Sequence, residues 1–374
     1  MSTQESAPKE QAAAPERIMS VDALRGFDMF WIIGGQGLVL SFLRLFWDPL
    51  PAAVEAQFDH VAWAGFSAWD MIMPLFLFIV GVSMAFSFGR RAQEGQGLKR
   101  IYAKIFRRVL LLWLFGMMVQ GNLLAFDWDK LHLYSNTLQA IAAGYLIAAV
   151  ALLHLPLVAQ AAAAAALLAV YWALLMFLPV PGHGGPVLEP KANLALYVDE
   201  LILRGFRDGT TYTWILSSLG FGATTLLGVF GGRVLKAQWN AALRFLALVA
   251  MGGACLAGGW YWSYHFPIIK HVWTSSMVLW SAGWSYLLLA FFYLVIDVIR
   301  FRIWAFPFVV IGMNAIAVYV GTHVLPIDAV GVALAGGLAK HLLGAGAFLL
   351  AAVNFAIVWF ILYYMYRNKT FLKI

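Results

Sequence analysis

The chain has 374 residues, of which 63% are hydrophobic and 11% are charged, and its formal net charge is +7. A soluble domain has about 45–50% apolar and about 25% charged residues. The composition therefore excludes a soluble globular protein and predicts an all-α, polytopic helical bundle in a lipid bilayer. The positive charge is typical of cytoplasmic loops that orient membrane helices, so no nucleic-acid partner is predicted. The single cysteine excludes an intrachain disulfide.

The first 17 residues differ in composition from the rest of the chain. They are polar, rich in Ala, Glu, Gln and Pro, and have no apolar run of the kind found in a signal peptide. This composition predicts a disordered cytoplasmic tail. Residues 18–374 are then predicted to form one transmembrane domain.

Apolar runs of about 20 residues predict about ten membrane-spanning helices. Residues 325–343 are also apolar and glycine-rich, but they contain Lys340 and His341 and predict a re-entrant or interfacial segment. Basic residues concentrate in alternate loops, which predicts that both termini are cytoplasmic. The outer loop at 179–212 is long and includes a helix-like piece, and loops of this length are often functional. The predicted spans are 26–46, 69–88, 106–125, 137–154, 158–178, 213–231, 242–262, 274–296, 304–323 and 346–366.

In the segment from 58 to 84, titratable side chains lie directly before an apolar run that is long enough to span a membrane. His60 and Asp70 stand in its first half, together with Trp63. Charged groups near lipid cost about 2.5–3.5 kcal/mol each at a helix centre, so they usually face a cavity and carry function. The alternative is an interfacial helix start, with Asp70 stabilised by the helix dipole. These residues alone leave both interpretations open.

Several predicted spans begin with or contain polar side chains. Any one of them is explained by an interhelical hydrogen bond, worth about 0.6 kcal/mol on average. Together they predict a polar cavity that opens outward and admits a small polar substrate. No His or Cys spacing typical of zinc is present, so no metal site is predicted. The candidate cavity residues are Asp28, Gln36, Asn136, Gln139, Lys270, Trp273, Ser275, Asn314 and His323.

Such a cavity is compatible with a sugar or organic-anion permease without chemistry, or with an enzyme. An enzyme needs a base within reach of the reacting atom. His60 is the best candidate because imidazole titrates near neutral pH, and Asp70 is a candidate to orient it.

Seven ordered segments together resemble the heparan-alpha-glucosaminide N-acetyltransferase family, and in particular its bacterial members, the transmembrane glucosamine N-acetyltransferases. The resemblance runs from about residue 17 to the end of the chain. The segments are RIMSVDALRGFDMFWIIGG, HVAWAGFSAWDMIMPLFLFIVGVSM, SNTLQAIAAGY, TTLLGVFGG, FPIIKHVWTSS, IGMNAIAVYVGTHV and ILYYMYRNKTFLKI.

The resemblance implies an enzyme of the bacterial inner membrane that takes acetyl-CoA from the cytoplasm. The acetyl group would pass to the amine of glucosamine, or of a related amino sugar, on the periplasmic side. The family's catalytic histidine falls on His60 and its aspartate on Asp70. Gln36 stands where the family has an asparagine thought to act with the histidine. A homodimer is also implied.

The resemblance also bears on the polar contacts, the role of His60 and the binding of acetyl-CoA. The arginine that lysosomal members carry before the LQ of the fourth span is absent here, so Asn136 and Gln139 are the local polar candidates. His60 would act either as a general base or as a transient acetyl carrier, and the sequence does not separate these routes. Arginine binds phosphate bidentately, and the candidates to hold the phosphates of acetyl-CoA are Arg90, Arg91, Arg100, Arg107 and Arg108.

Overall fold

A computed structural model describes residues 18–93, 97–342 and 344–372, excluding the side chains of residues 89–93. The tail predicted at residues 1–17 lies outside the described residues. The described part is mostly helical, with one antiparallel pair of two-residue strands, β1 (Leu188–Glu189) and β2 (Ala192–Asn193). The helices are α1 (Met19–Phe30), α2 (Gln36–Leu43), α3 (Ala52–Glu55), α4 (Ile72–Gln93), α5 (Leu98–Val119), α6 (Thr137–His154), α7 (Leu157–Phe177), α8 (Leu194–Leu203), α9 (Ser218–Lys236), α10 (Ala241–Ser263), α11 (Ser275–Phe292), α12 (Phe306–Met313), α13 (Ala315–Val324), α14 (Ile327–His341) and α15 (Ala345–Arg367).

Within the described residues, eight helical segments are long and apolar enough to cross a membrane. A ninth candidate is the pair α12–α13, which is bent by 75°. The prediction of an all-α, polytopic membrane protein is therefore confirmed. The eight segments are Met19–Leu43, Trp69–Phe88, Thr137–His154, Leu157–Phe177, Ser218–Lys236, Ala241–Ser263, Ser275–Val298 and Ala345–Arg367.

The predicted third span, 106–125, differs most from the structure. Residues 106–119 belong to α5, which begins at Leu98 and ends at Val119, whereas residues 120–125 lie beyond its end. The first half of this helix carries five basic side chains, so no window of spanning length is sufficiently apolar. The ten predicted spans therefore correspond to the eight apolar candidates, the bent pair α12–α13 and the strongly basic helix α5. The basic residues of α5 are Lys99, Arg100, Lys104, Arg107 and Arg108.

The first span begins at Met19, seven residues earlier than the predicted start at residue 26. The charged side chains in this extra stretch, Asp22 and Arg25, are paired. Arg25 donates to Asp22 Oδ1 at 3.0 Å and to Ser83 Oγ on α4 at 2.7 Å. Hydropathy misses this stretch because it treats each polar residue as exposed, whereas a paired charge can lie between helices.

The segment predicted to be re-entrant or interfacial, 325–343, contains α14. A helix of 15 residues is about 22 Å long, which is short of the roughly 30 Å hydrocarbon layer. It packs antiparallel to the first half of α15, with Gly331 against Asn354 and Gly346 against Ala339. It is therefore too short to be an eleventh span, which the sequence analysis also did not favour.

Helix α4 lies at the centre of the bundle. Residues of its spanning window are 78% buried, more than in any other candidate span. It packs closely on α9, where a Cβ on Gly81 would come within 1.9 Å of the Thr225 carbonyl oxygen and one on Gly228 within 2.0 Å of that of Phe78. Such small-residue contacts let membrane helices approach closely. The interior of α4 is therefore packed tightly against α9, and Asp70 lies directly before this helix.

Candidate active site

His60, Asp70 and Lys270 meet in one polar cluster at the start of α4. His60 Nδ1 is 2.7 Å from Asp70 Oδ1 and 3.1 Å from Lys270 Nζ. Lys270 Nζ also lies 3.3 Å from Asp70 Oδ1. The Asp70 and Lys270 side chains are 2% and 6% exposed, whereas that of His60 is 39% exposed. One carboxylate is therefore shared by two basic side chains, and the histidine alone reaches the solvent.

The local chain geometry fixes Asp70 in a 3₁₀ turn, Trp69–Met71, directly before α4. Its second oxygen, Oδ2, accepts hydrogen bonds from the Ser67 backbone N–H and hydroxyl, both at 3.1 Å, and from the Val61 N–H at 3.4 Å. Oδ2 is thus used to order the loop, and Oδ1 is left to face His60 and Lys270. A carboxylate at a helix N-terminus is further stabilised by the helix dipole.

Lys270 reaches the cluster because two distant loops pair. Ala64 forms an isolated antiparallel bridge with Ile269, and the Gly65 N–H donates to the Ile268 carbonyl at 2.9 Å. This pairing sets the next residue, Lys270, beside the histidine although 210 positions separate them. Burial lowers the pKa of Lys270 to about 8, and the nearby Asp70 charge opposes this lowering.

The lowered pKa of Lys270 predicts a pH dependence of stability. Between pH 8 and about 10.5 the unfolded chain retains the lysine proton that the folded protein has released, so stability rises with pH in this window. The Tm of the wild type should therefore increase from pH 8 to 10 relative to that of Lys270→Met. Differential scanning fluorimetry in detergent measures this, with the exposed Lys130→Met as control. Parallel profiles for wild type and Lys270→Met would contradict the assignment.

His271, next to Lys270, is not a second base for neutral pH. Burial, together with the charges of Lys270 and His60, lowers its pKa to about 4. Its ring stacks on Tyr212 with centroids 4.1 Å apart, and its Nδ1 lies 2.6 Å from the Thr211 hydroxyl. His271 therefore serves to bind the loop before α9 to the loop that carries Lys270.

The cluster opens into a polar cavity of about 420 Å³. This cavity brings together four of the residues predicted from the sequence, namely His60, Lys270, Gln36 and His323. The Gln36 amide donates to the Phe58 carbonyl at 2.6 Å, and His323 Nδ1 lies 2.7 Å from the Tyr319 carbonyl oxygen. The further lining residues are Ile32, Trp69, Ile72, Met73, Gln120, Ser135, Thr137, Asp208, Thr210, Tyr212, Trp214 and Tyr319.

The side chains of Asn136 and Gln139 form hydrogen bonds that cap the start of α6. Asn136 caps the helix by accepting from the Leu138 N–H at 2.7 Å. The Gln139 side-chain oxygen accepts from the N–H groups of Ser135 and Asn136 at 2.9 and 3.1 Å, which completes a capping box. Both side chains are buried behind the cavity wall formed by their neighbours Ser135 and Thr137.

Trp273, Ser275 and Asn314 are likewise not brought to the cavity. The Trp273 indole N–H donates to Thr224 Oγ1 at 3.2 Å, and the Ser275 hydroxyl donates to the Leu168 carbonyl at 2.8 Å. Asn314 stands at the break between α12 and α13. It donates to the Thr370 carbonyl at 3.2 Å and accepts from the Leu372 N–H at 3.1 Å, so it attaches the C-terminal segment.

Asp28 is separated from His60 as well. It is 1% exposed and lines a second, mostly apolar cavity on the other side of the Trp69 segment. The polar residues predicted to share one cavity therefore fall into three groups. Some lie around His60, others cap helices or form hydrogen bonds between helices, and Asp28 lies in a separate cavity.

The basic candidates for phosphate binding lie away from His60. Arg100 and Arg107 are exposed on α5, and the Arg108 guanidinium lies 4.6 Å from the Tyr145 ring centroid. Gln120, at the end of the same helix, lines the cavity. Arg107 and Arg108 are therefore roughly 20 and 18 Å from it along the helix axis. The side chains of Arg90 and Arg91 lie outside the described residues.

The sequence analysis missed the loop from 208 to 214, which supplies Asp208, Thr210, Tyr212 and Trp214 to the cavity. Asp199 of α8 holds this loop by accepting from the N–H groups of Trp214 and Ile215 at 2.7 and 2.9 Å. Burial raises the pKa of Asp199 to about 6. The unusual length of the outer loop was the available signal, and the helix predicted in it is present as α8.

The arrangement is suited to acid–base chemistry. Asp70 accepts the Nδ1 proton of His60, so the opposite ring nitrogen, Nε2, is the basic one. Among the described residues, Nε2 has no protein hydrogen-bond partner. Within the described residues, no group of three or more His, Cys, Asp or Glu side chains is placed to hold a metal ion.

Comparison with known proteins identifies two curated relatives, whereas no protein-family model matches the chain. The heparan-alpha-glucosaminide N-acetyltransferase of Homo sapiens is 26% identical over 376 aligned residues, which cover 84% of this chain and 54% of the human protein. The Mus musculus protein of the same name is 24% identical over 387 residues, covering 85% and 55%. The chain spans about half the length of these relatives. The matches confirm the resemblance indicated by the seven ordered segments.

Proposed function

This chain is a membrane-embedded relative of the heparan-alpha-glucosaminide N-acetyltransferases, and on that premise we propose that it transfers the acetyl group of acetyl-CoA to the amine of glucosamine or a glucosamine-containing sugar. One observation carries the proposal beyond the similarity. His60, which the family pattern marks, is the exposed member of a His60–Asp70–Lys270 cluster that opens into a polar cavity. The cavity is of a size common for small-molecule sites, about 300–1,000 Å³.

The reaction begins with the amine, which is protonated near neutral pH and cannot attack in that form. His60 Nε2 removes the proton, a step that typically contributes about 10²–10⁴ in rate. The amine lone pair then forms the N–C bond at the thioester carbonyl, whose π electrons move to oxygen. The nitrogen of the tetrahedral intermediate, which still carries two protons, releases one to the solvent. Collapse of the intermediate then breaks the C–S bond, and the proton on Nε2 passes to the departing thiolate. The products are the N-acetyl sugar and CoA thiol.

Two charged partners of His60 support this sequence of steps. Asp70 Oδ1 accepts the Nδ1 proton and stabilises the imidazolium that forms during the reaction. Lys270 is the candidate donor for the oxyanion, since its ammonium lines the cavity next to His60. Gln36 also lines the cavity, but the hydrogen bond from its amide to the Phe58 carbonyl orders the loop that precedes His60.

We further propose that the donor and the acceptor reach the cavity from opposite sides of a bacterial inner membrane. With both termini cytoplasmic, the basic half of α5 faces the cytoplasm and the cavity faces the periplasm. Arg100, Arg107 and Arg108 would then hold the CoA phosphates. A homodimeric assembly is proposed from the family resemblance alone.

The test is a product assay with the purified protein in lipid nanodiscs, using acetyl-CoA labelled with ¹⁴C in the acetyl group and glucosamine. The expected result is labelled N-acetylglucosamine, with one CoA thiol released for each molecule formed. Proteoliposomes loaded with labelled glucosamine provide the second measurement. Movement of unmodified sugar without any acetylated product from any hexosamine would contradict the proposal and support the permease.

A further inference from the structure

A second cavity, of about 500 Å³, lies against the segment that carries Asp70. Trp69 and Ile72 line both this cavity and the one that contains His60, so the 69–72 segment is the wall between them. The side chains of the second cavity are mostly aromatic or aliphatic, and four are tryptophans. Its aromatic residues are Phe27, Trp31, Phe58, Phe66, Trp69, Trp280 and Trp284.

Asp28 is the only ionisable side chain among the described residues that line this second cavity. It is 1% exposed, and its Oδ2 has no hydrogen-bond partner within the described part of the chain. The basic residue one turn earlier, Arg25, is engaged with Asp22 and Ser83. An ionisable group inside a spanning helix is costly and usually marks a functional position. Its missing partner is the observation that points to a ligand.

The walls indicate what kind of ligand would supply that partner. Tryptophan faces attract cations, and Asp28 presents to the same cavity a buried carboxyl group that can pair with an ammonium group. Ser67 and Gln57 are the other polar lining residues, too few to satisfy the hydroxyl groups of a sugar. Trp284 is 42% exposed on the spanning helix α11, which puts one wall at the lipid-facing surface. A ligand that arrives through the lipid must have an apolar body.

We propose that this second cavity is a binding site for an amphipathic amine, with its ammonium group at Asp28 and its apolar body between Trp31, Trp280 and Trp284. The site is distinct from the His60 cavity and does not depend on the acetyltransferase proposal. It is nevertheless adjacent to the reactive cluster. Ser67, which lines the second cavity, donates its backbone N–H to Asp70 Oδ2 at 3.1 Å, so an occupant touches the residue that orders the carboxylate behind His60.

Binding to the protein in nanodiscs tests this proposal without acetyl-CoA. The probes are 4-phenylbutylamine, the neutral 4-phenylbutan-1-ol and glucosamine, titrated by isothermal calorimetry with empty nanodiscs as the blank. The amine should bind at least tenfold more tightly than the alcohol. Asp28→Asn, which preserves the shape, should remove this difference, whereas His60→Gln should retain it.

Each other outcome overturns the proposal in a defined way. Equal affinity of amine and alcohol would make the cavity an apolar site without charge selection. Loss of amine binding in His60→Gln but not in Asp28→Asn would place the amine in the His60 cavity. Asp28-dependent binding of glucosamine would make the site a sugar subsite. If Asp28→Asn does not fold, Trp284→Ala decides, since unchanged binding of the amine in that variant would exclude this cavity.

Discussion

Replacing His60 by alanine is expected to lower the rate of N-acetylglucosamine formation about 10²–10⁴-fold, which is the range that a positioned general base contributes. The imidazole is the only basic group of the cluster that is substantially exposed in the described part of the chain, at 39%. Its loss leaves Asp70 and Lys270 paired with each other at 3.3 Å. The variant should therefore fold, and the defect should lie in kcat.

The matched control is His323→Ala, which removes the other histidine of the same cavity. His323 Nδ1 is bound to the Tyr319 carbonyl, and no carboxylate contacts the ring within the described residues, so we expect a loss of less than tenfold. Initial rates with ¹⁴C-acetyl-CoA at saturating glucosamine measure both. A His60→Ala enzyme with more than a tenth of the wild-type rate would exclude His60 as the base.

The same assay separates the two chemical routes left open by the sequence. If His60 carries the acetyl group transiently, the wild type incubated with labelled acetyl-CoA alone acquires label that survives rapid removal of the donor, and His60→Ala does not. If transfer is direct, neither protein is labelled without glucosamine. The Nε2 position is suited to both routes, since Nδ1 is occupied by Asp70 in either case.

The membrane class and most helices could be predicted from the sequence because hydropathy is a property of local composition. The boundaries and breaks of the helices were predicted least well where a polar side chain is paired with another protein group instead of being hydrated. At Arg25, a partly buried ion pair with Asp22 lets the first helix begin seven residues earlier than hydropathy predicts. At Asn314 the helix is interrupted, and α12 and α13 meet at an angle of 75°. The Asn314 side chain forms hydrogen bonds with the C-terminal segment at this break.

The reactive residues were predictable in identity but not in geometry. His60 and Asp70 are ten positions apart, and their contact depends on the turn that Ser67 orders. Lys270 was assigned to the cavity, but its contact with His60 requires a pairing of distant loops that no local pattern encodes. For Asn136 and Gln139, by contrast, a local sequence pattern does predict the contacts. Their spacing is that of a capping box, a local signal that explains their burial without any substrate.

Asp70→Asn is expected to cause the second large loss of activity, about 10³–10⁴-fold, because it changes which nitrogen of His60 carries the proton. Asp70 Oδ1 can only accept, so it holds the proton on Nδ1 at 2.7 Å. An asparagine amide can donate to Nδ1 instead, and Lys270 Nζ, already 3.1 Å from Nδ1, donates there as well. Both favour the tautomer with the proton on Nε2, which cannot accept a proton from the amine.

The ion pair between Asp70 and Lys270 predicts a rescue of stability in a double variant, without a rescue of rate. In Asp70→Asn the Lys270 ammonium loses its counter-ion while still buried, which is strongly destabilising. Adding Lys270→Met removes the unpaired charge, so the double variant should have a higher Tm than Asp70→Asn alone, but no higher rate, because the candidate oxyanion donor is lost as well. Asp59→Asn, which alters the carboxylate that accepts the His60 backbone N–H at 2.7 Å, is the control and should lose less than tenfold. A double variant with a Tm no higher than that of Asp70→Asn would contradict the pairing of Asp70 with Lys270, and one with a higher rate would contradict Lys270 as the oxyanion donor.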